Sequence, residues 1–369
     1  MRIGILTLTP HANYGGILQA YALQTVLERM GHKVEVIDVL YTVPDWKMFL
    51  RYTKRIILKY LLGKRNTIVF VEKESKRELA VVSQYTLQFV NRYIHIRTYK
   101  KYTDIRESDY DAIVVGSDQV WRPGYFSGNI KHAFLDFAKD WKNIKRIAYA
   151  ASFGTDKWLF MKRQERVCGQ LLQLFDAVSV RETSAVKICE EHWGVIPTPV
   201  LDPTLLLPKE VYEQLVQGAG TPKSPGTLLC YVLDENEEKK SIIQEIANQR
   251  HLVPFRVNSR YEDHSAPLQE RIQPPVEQWL RGFMDAEFVV TDSFHGCVFS
   301  IIFNKPFFVI GNSGRGMARF NTLITQFGLE KNIRSDDVFI QMVNDWDVIN
   351  QKRDELRVHS LGFLKSINV

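Results

Sequence analysis

The sequence predicts an α/β protein of two Rossmann-like lobes with parallel sheets and a cleft between them. The chain opens with a strand, a turn, a helix and a second strand, the unit from which parallel sheets are built. A stretch rich in Pro and Gly at 206–226 interrupts the pattern, and a second alternating set of strands and helices follows. The length of 369 residues is enough for two or three domains.

The N-terminal lobe is assigned to residues 1–205. An apolar run at 2–8 predicts a buried strand, residues 16–30 have apolar side chains at helical spacing, and Gly31 ends that helix. Further strands are predicted at 33–39, 111–118, 146–152, 177–182 and 198–204, and further helices at about 46–62 and 67–91.

Residues 206–226 are the predicted hinge, and residues 227–345 form the C-terminal lobe. Strands are predicted there at 227–233, 253–257, 287–292 and 306–311, and helices at about 236–250, 276–284, 295–303 and 317–328. The final segment, 346–369, predicts a C-terminal helix that could pack back on the N-terminal lobe.

The composition is that of an ordinary folded protein. With 45% hydrophobic and 24% charged residues, it excludes a mainly disordered or low-complexity chain. The sequence has no run of about 18 apolar residues and therefore predicts no membrane span. The N-terminus resembles a first strand more than a signal peptide, and the four cysteines lie far apart. We therefore expect a cytoplasmic protein with free thiols and no metal site.

The net charge of +6 is concentrated in one segment. Residues 46–65 hold seven Lys and Arg and no acid, so the rest of the chain sums to −1. A nucleic-acid-binding protein would carry basic residues spread over a face, so nucleic acid is not an expected partner. The part at 46–62 is amphipathic. It predicts either a core-packed helix with a solvated basic face or a helix that docks on an anionic membrane or a lipid-diphosphate acceptor.

Candidate site residues are sought in the loops after strands, because ligands bind at the carboxyl ends of strands in such sheets. The first loop, 9–16, carries polar side chains and two glycines before a helix N-terminus, which favours an anion. The alternative is a plain turn. The loop at 116–122 offers a polar and stacking surface for a sugar, or else a tight turn capped by Asp118. Acceptor-binding residues are expected to be Asn13, Tyr14, Gly15, Gly16, Ser117, Gln119 and Trp121.

Arginines follow two other strands. Arg181 ends a short strand, where it could bind a carboxylate or phosphate or simply pair with Glu182. Arg315 and Arg319 belong to a glycine-rich loop and to the start of the next helix, and they could hold phosphate or remain solvated. Asp202 also ends a strand, but its Asp-Pro-Thr sequence favours a structural turn.

The sharpest candidate is the Thr-Asp-Ser-Phe-His-Gly sequence at 291–296. A strand delivers Asp292, Ser293 and His295 to one loop, and a helix begins beside Gly296. A histidine in this place can titrate near neutral pH, and the helix N-terminus favours an anionic ligand. Catalytic roles are expected for His295 with Asp292 or Asp118.

Motifs at 13–23, 116–121, 179–182, 201–207 and 291–296 occur in this order, followed by residues 316–329. The ordered set resembles the polysaccharide pyruvyl transferase family over nearly the whole chain. The resemblance implies a GT-B-like fold and transfer of the pyruvyl group of phosphoenolpyruvate to two hydroxyls of a sugar. The products are a cyclic ketal and phosphate, and the acceptor is a polysaccharide or its lipid-linked precursor. It implies phosphoenolpyruvate as a co-substrate and no further cofactor.

The same resemblance implies roles for individual residues. His295 would contact the donor or move its proton, and Arg181 would bind the donor, with Arg319 as a second such arginine. Donor-binding is also assigned to Arg315, Ser293 and Gly296. This chain differs from some family members at two positions. Those members have an arginine where this chain has Ser293 and an acidic residue where it has Gly16.

Two other functions stay open. A glycosyltransferase with a nucleotide-sugar donor could use the same two lobes, although no pair of acids is spaced to bind a ribose. A non-catalytic carbohydrate-binding or assembly protein could also retain this fold.

Overall fold

The computed structural model describes residues 1–40, 45–61, 69–126, 128–311, 317–329, 338–341 and 345–367. The first of two sheets has seven strands, all paired in parallel, in the order β3-β2-β1-β4-β5-β6-β7. Its strands are β1 Arg2–Leu6, β2 Lys33–Val39, β3 Ile96–Tyr99, β4 Ala112–Val115, β5 Lys145–Ala151, β6 Ala177–Val180 and β7 Thr198–Pro199.

Helices cover this sheet, and β4 near its centre is completely buried, as expected for a parallel strand with helices on both faces. The helices are α1 Tyr14–Arg29, α2 Asp45–Ile56, α3 Val71–Val82, α4 Gln84–Tyr93, α5 Lys162–Leu172 and α6 Thr183–Trp193, and a π-helical turn at Ile57–Leu61 continues α2. Asn13 caps α1, because its side chain accepts a hydrogen bond from the Gly16 amide at 3.1 Å.

The second sheet has five strands in the order β12-β11-β10-β8-β9. They are β8 Leu228–Tyr231, β9 Pro254–Phe255, β10 Phe288–Thr291, β11 Phe307–Ile310 and β12 Val338–Gln341. The helices that follow the first lobe are α7 Lys209–Gly218, α8 Glu237–Arg250, α9 Val276–Asp285, α10 Phe294–Ile302, α11 Ala318–Phe327 and α12 Trp346–Ser366. The two sheets with their helices confirm the predicted α/β class with two lobes.

Three features differ from the sequence prediction. Strand β12 pairs antiparallel with β11, although only parallel strands were expected. The edge strand β3 was not predicted, since its residues are mostly exposed and lack a continuous apolar run. The helix predicted at 67–91 is two helices, separated at Ser83, whose hydroxyl donates to the Leu79 carbonyl at the end of α3.

The segment between the lobes is partly helical, and α7 occupies its middle. The C-terminal helix α12 contacts the first lobe, where the Leu201 amide donates to Ser360 Oγ at 3.0 Å. Lys145 on β5 also donates to the Ile367 carbonyl at 2.7 Å. One buried apolar cluster contains residues of both lobes, among them Ile17 of α1 and Phe299 of α10. The lobes are therefore packed together on one side of the cleft.

All four cysteines are buried and free, as expected. Within the described ranges, no helix is both long and apolar enough to cross a bilayer.

Candidate active site

A polar cavity of about 820 Å³ lies between the lobes at the carboxyl ends of β1, β4, β8 and β10. Both lobes line it. The first contributes Asn13, Tyr14, Asp118 and Gln119, and the second contributes Asp292, Ser293, His295 and Arg319 among others. The loops after strands, which the sequence analysis singled out, meet here because the carboxyl ends of parallel strands lie at the same edge of their sheet.

His295 lies in the first turn of α10 and is only 8% exposed. Its Nε2 accepts a hydrogen bond from the side-chain amide of Gln19 on α1 at 2.5 Å. The amide oxygen of Gln19 in turn accepts from Ser117 Oγ at 2.9 Å. The Gln19 side chain therefore bridges Ser117 and His295. The histidine of one lobe is thus oriented by side chains of the other.

The imidazole also lies directly against the N-terminus of α1. A Cβ atom added at Gly15 would lie 2.1 Å from His295 Nδ1, so no larger residue fits there while the ring keeps its position. A Cβ at the next residue, Gly16, would lie 3.4 Å from Asp118 Oδ2, an ordinary contact. Gly15 and Gln19 are one helical turn apart and form one face that holds the imidazole. Gly15 therefore makes room for His295.

Three charged side chains lie behind this histidine. Arg181 Nη1 donates to Asp202 Oδ2 at 2.8 Å, and the same carboxylate oxygen lies 3.6 Å from His295 Nε2. Burial alone would raise the pKa of Asp202, but hydrogen bonding and the charges of His295 and Arg181 hold that pKa well below its usual range. Arg181 Nη2 lies 3.7 Å from Asp118 Oδ1 and makes no hydrogen bond to a described residue.

Arg319 is the second buried arginine, in the first turn of α11, and it lines the cavity. Burial, together with the charge of Arg181, lowers the pKa of Arg319 to about 10. Both guanidinium groups lie near the Phe294 ring, with centroid distances of 4.9 Å for Arg181 and 5.5 Å for Arg319. Phe294, the residue before His295, thus has two cations against its ring.

Asp292 is fully buried and fastens a loop. Its Oδ1 accepts from the Leu233 amide at 2.7 Å, and its Oδ2 accepts from Lys239 Nζ at 2.7 Å. These bonds tie the loop between β8 and α8 to the end of β10. The role predicted for Asp292, orienting the histidine or a substrate hydroxyl, stays a prediction, and these contacts add a structural role.

Replacing Asp292 with alanine is expected to lower the free energy of unfolding by about 3 kcal/mol, because Lys239 is left as a buried charge without its carboxylate. Chemical denaturation measures this loss, and Asp292→Asn, which keeps the shape, should lose less. An alanine variant with normal stability and no turnover would instead place Asp292 in the chemistry.

Trp121 does not face the cavity. It is fully buried, donates its indole N–H to the Ala133 carbonyl at 3.1 Å and stacks on Phe134 with a centroid distance of 5.1 Å. The expected contact with an acceptor sugar is therefore excluded in this arrangement. Its neighbour Gln119 does line the cavity, with its Oε1 bonded to Arg122 Nη1 at 2.8 Å.

Tyr14 connects the lobes. Its hydroxyl donates to the Pro274 carbonyl at 2.8 Å, and its ring stacks on Trp279 at 5.4 Å between centroids. Only a small part of it borders the cavity, since the side chain is almost completely buried.

Of the remaining predicted donor residues, Ser293 lines the cavity at the N-cap of α10. Gly296 allows α10 to approach the end of β10, since a Cβ there would lie 2.1 Å from Thr291 Oγ1. Arg315 lies outside the described residues. In the part of the chain that the structure describes, no three His, Cys, Asp or Glu side chains gather as a metal site.

Sequence reasoning missed the roles of Gln19 and Phe294 and underrated Asp202. One signal was available for Gln19. It is a polar residue among apolar ones in α1, four residues after Gly15, and both positions share a helix face.

Fold and site together define a two-lobed α/β protein with a polar cavity walled by both lobes, in which a histidine lies beside buried arginines. The chain belongs to the polysaccharide pyruvyl transferase family, whose model matches residues 13–314. This confirms the resemblance drawn from the motifs and indicates a transferase. No curated protein matches the sequence.

Solved structures are similar to this chain at low identity. The UDP-GlcNAc 2-epimerase from Neisseria meningitidis bound to UDP-GlcNAc is 11% identical, with a TM-score of 0.46 over 100% of this chain and 94% of that one. Arabidopsis thaliana UGT89C1 complexed with UDP-L-rhamnose is 8% identical, with a TM-score of 0.49 over 98% and 97%. The E. coli ADP-heptose lps heptosyltransferase II is 12% identical, with a TM-score of 0.34 over 83% of each chain. The two-lobed assignment rests on the sheets described above.

Proposed function

We propose that this protein transfers the pyruvyl group of phosphoenolpyruvate to two hydroxyls of a sugar in a polysaccharide or its lipid-linked precursor. Membership of the family supports the class of reaction. The observation that carries the proposal is the buried guanidinium group of Arg319, which lines the cavity with His295 and shares the Phe294 ring with Arg181. Phosphoenolpyruvate carries a carboxylate and a phosphate, and an arginine is suited to bind either group.

Arg319 is the buried cation that faces the cavity. Arg181 is paired with Asp202 and does not line the cavity, whereas Arg319 lines it, and burial together with the charge of Arg181 lowers the pKa of Arg319. A bound phosphate or carboxylate would offset both the cost of burying the charge of Arg319 and its repulsion by Arg181. Arg319 is therefore assigned to direct contact with the donor, and Arg181 adds charge from the layer behind it.

Phosphoenolpyruvate is a vinyl phosphate. Protonation of its methylene carbon makes carbon two electrophilic, and one sugar hydroxyl adds there and loses its proton. The phosphate then leaves with the electron pair of the bond between carbon two and oxygen, and the second hydroxyl adds and releases its proton. One of the two hydroxyl protons restores the proton donor that protonated the methylene carbon, and the other leaves with the released phosphate.

His295 is assigned to the proton transfers, with Gln19 holding its ring in place. Asp118 lines the cavity on the opposite lobe and is only 7% exposed. It is assigned to the acceptor, where its carboxylate can accept the hydrogen of a sugar hydroxyl.

Phosphoenolpyruvate at about 100 times its Kd is expected to stabilise the wild-type protein by about 2.7 kcal/mol, measured by thermal unfolding. Arg319→Met should lose this stabilisation. Its unfolding without ligand is measured alongside, so that the response to phosphoenolpyruvate is compared within one variant. Arg163→Met, which removes an exposed arginine on α5, is the control and should keep the full response.

The same measurement tests the nucleotide-sugar alternative. Stabilisation by nucleoside diphosphates without any response to phosphoenolpyruvate would indicate a nucleotide-sugar donor. A full response to phosphoenolpyruvate in Arg319→Met would remove that arginine from the donor site.

A further inference from the structure

We propose that the exposed face of α2 and its π-helical turn, residues 48–60, docks on an anionic lipid bilayer. The site of pyruvyl transfer would then face acceptors that are carried in the membrane. This last point rests on the proposed function, whereas the docking itself rests on the surface alone.

The face is apolar and open to solvent. Phe49, Leu50 and Tyr60 are 69%, 57% and 72% exposed, and Ile56 and Ile57 are 42% exposed each. Phe49 and Ile56 are seven residues apart, two helical turns, so they lie on one side of α2. Five large apolar side chains exposed within twelve residues form a continuous patch, which marks an interaction site rather than ordinary surface.

The basic residues around this patch indicate an anionic partner. Lys54 and Arg51 are exposed beside it, with Arg51 Nη1 at 3.5 Å from Glu72 Oε1 of α3, and residues 46–65 contain no acid. A basic polar side next to exposed aromatic and aliphatic residues is typical of helices that lie in the plane of a membrane interface. Each Lys or Arg near an anionic surface contributes about 1 kcal/mol of attraction. A bilayer surface therefore matches both the apolar and the basic side chains.

Part of the amphipathic segment packs on the protein. Tyr52 packs edge-on against Phe70 at 5.0 Å between centroids. Arg55 pairs with Glu72 at 2.6 Å. These two contacts fix the inner side of α2 on α3 and leave the apolar patch outside.

The patch is connected to the cavity by fixed contacts. Glu78 on α3 accepts from Arg271 Nη1 at 3.0 Å, and the Val82 carbonyl at the end of α3 accepts from the Gln273 amide at 2.8 Å. Gln273 itself lines the cavity. A bilayer that binds α2 would thus hold the cavity in a defined orientation.

The test is co-sedimentation of the full chain with lipid vesicles. We expect the wild type to bind phosphatidylcholine vesicles that contain phosphatidylglycerol, to bind pure phosphatidylcholine vesicles much less, and to lose binding as salt is raised. The double variant Phe49→Ser/Tyr60→Ser should bind about tenfold less or weaker still, because two exposed aromatic anchors are removed. The control Ile196→Ser/Val253→Ser removes two equally exposed apolar residues elsewhere and should bind like the wild type.

Several outcomes would overturn the proposal. They are a wild type that stays in the supernatant, equal binding to both kinds of vesicle, and a double variant that binds like the wild type. Self-association without lipid that the double variant abolishes would assign the face to a second copy of the chain. Stabilisation by phosphoenolpyruvate, measured on the same double variant, should be unchanged. Its absence from the wild type would count against the proposed function and leave the vesicle result intact.

Discussion

Replacing His295 with alanine is expected to reduce pyruvyl transfer by about 10² to 10⁴-fold while the protein still folds. General acid–base catalysis by a positioned side chain contributes an effect of this size. The measurement is phosphate release from phosphoenolpyruvate in the presence of an acceptor that supports wild-type turnover.

Thermal unfolding provides the control for this variant. His295 is hydrogen-bonded to Gln19 and near Asp202, so the alanine variant should unfold at a somewhat lower temperature but still cooperatively. His295→Gln keeps a polar group in the same place and should be equally inactive. Turnover close to that of the wild type in either variant would remove His295 from the proton transfers.

Replacing Gly15 with alanine is expected to cost about 10²-fold in turnover, although Gly15 has no side chain to contribute. The new Cβ would lie 2.1 Å from His295 Nδ1, so the ring must move and its hydrogen bond to Gln19 must break. A displacement of about 1 Å in a catalytic group is enough for a loss of this size.

Gly16→Ala is the matched control in the next position of α1. Its Cβ meets Asp118 Oδ2 at an ordinary 3.4 Å, and alanine is favoured over glycine in a helix by about 1 kcal/mol. We expect Gly16→Ala to keep most of its turnover and its stability, whereas Gly15→Ala should lose both. Equal turnover in the two variants would show that the position of the imidazole is not what the reaction depends on.

The general location of the site could be predicted from the sequence. His295, Asp118 and Asn13 each follow a strand of a βα unit, and such loops meet at one edge of the sheet. The order of the elements was sufficient for this step, since it needs no knowledge of side-chain directions.

The contacts inside the site could not be predicted in the same way. Trp121 follows β4 within the same loop as Asp118, yet its partners are Phe134 and the Ala133 carbonyl, which come from a distant turn. Which residue of a loop faces the cavity and which enters the core is decided by such long-range packing. The role of Gln19 could not be predicted either, because its partner, His295, lies 276 residues away in the chain.

The strand β12 shows the same limit at the level of the fold. Periodicity predicts no strand after 306–311, whereas β12 forms at Val338–Gln341 and joins the sheet antiparallel beside β11. Short edge strands with few buried residues, such as β3, give the weakest patterns of all.

The orientation of His295 has a consequence for biosynthesis of the chain. The ribosome adds Gln19, Ser117 and Asp202 to the chain long before the histidine. These three side chains surround the place that the imidazole later occupies. The imidazole reaches this place only after the second lobe has folded and docked, because domains fold as units in the order of synthesis. A nascent or truncated chain would therefore lack the proton transfers proposed for His295 until that docking is complete.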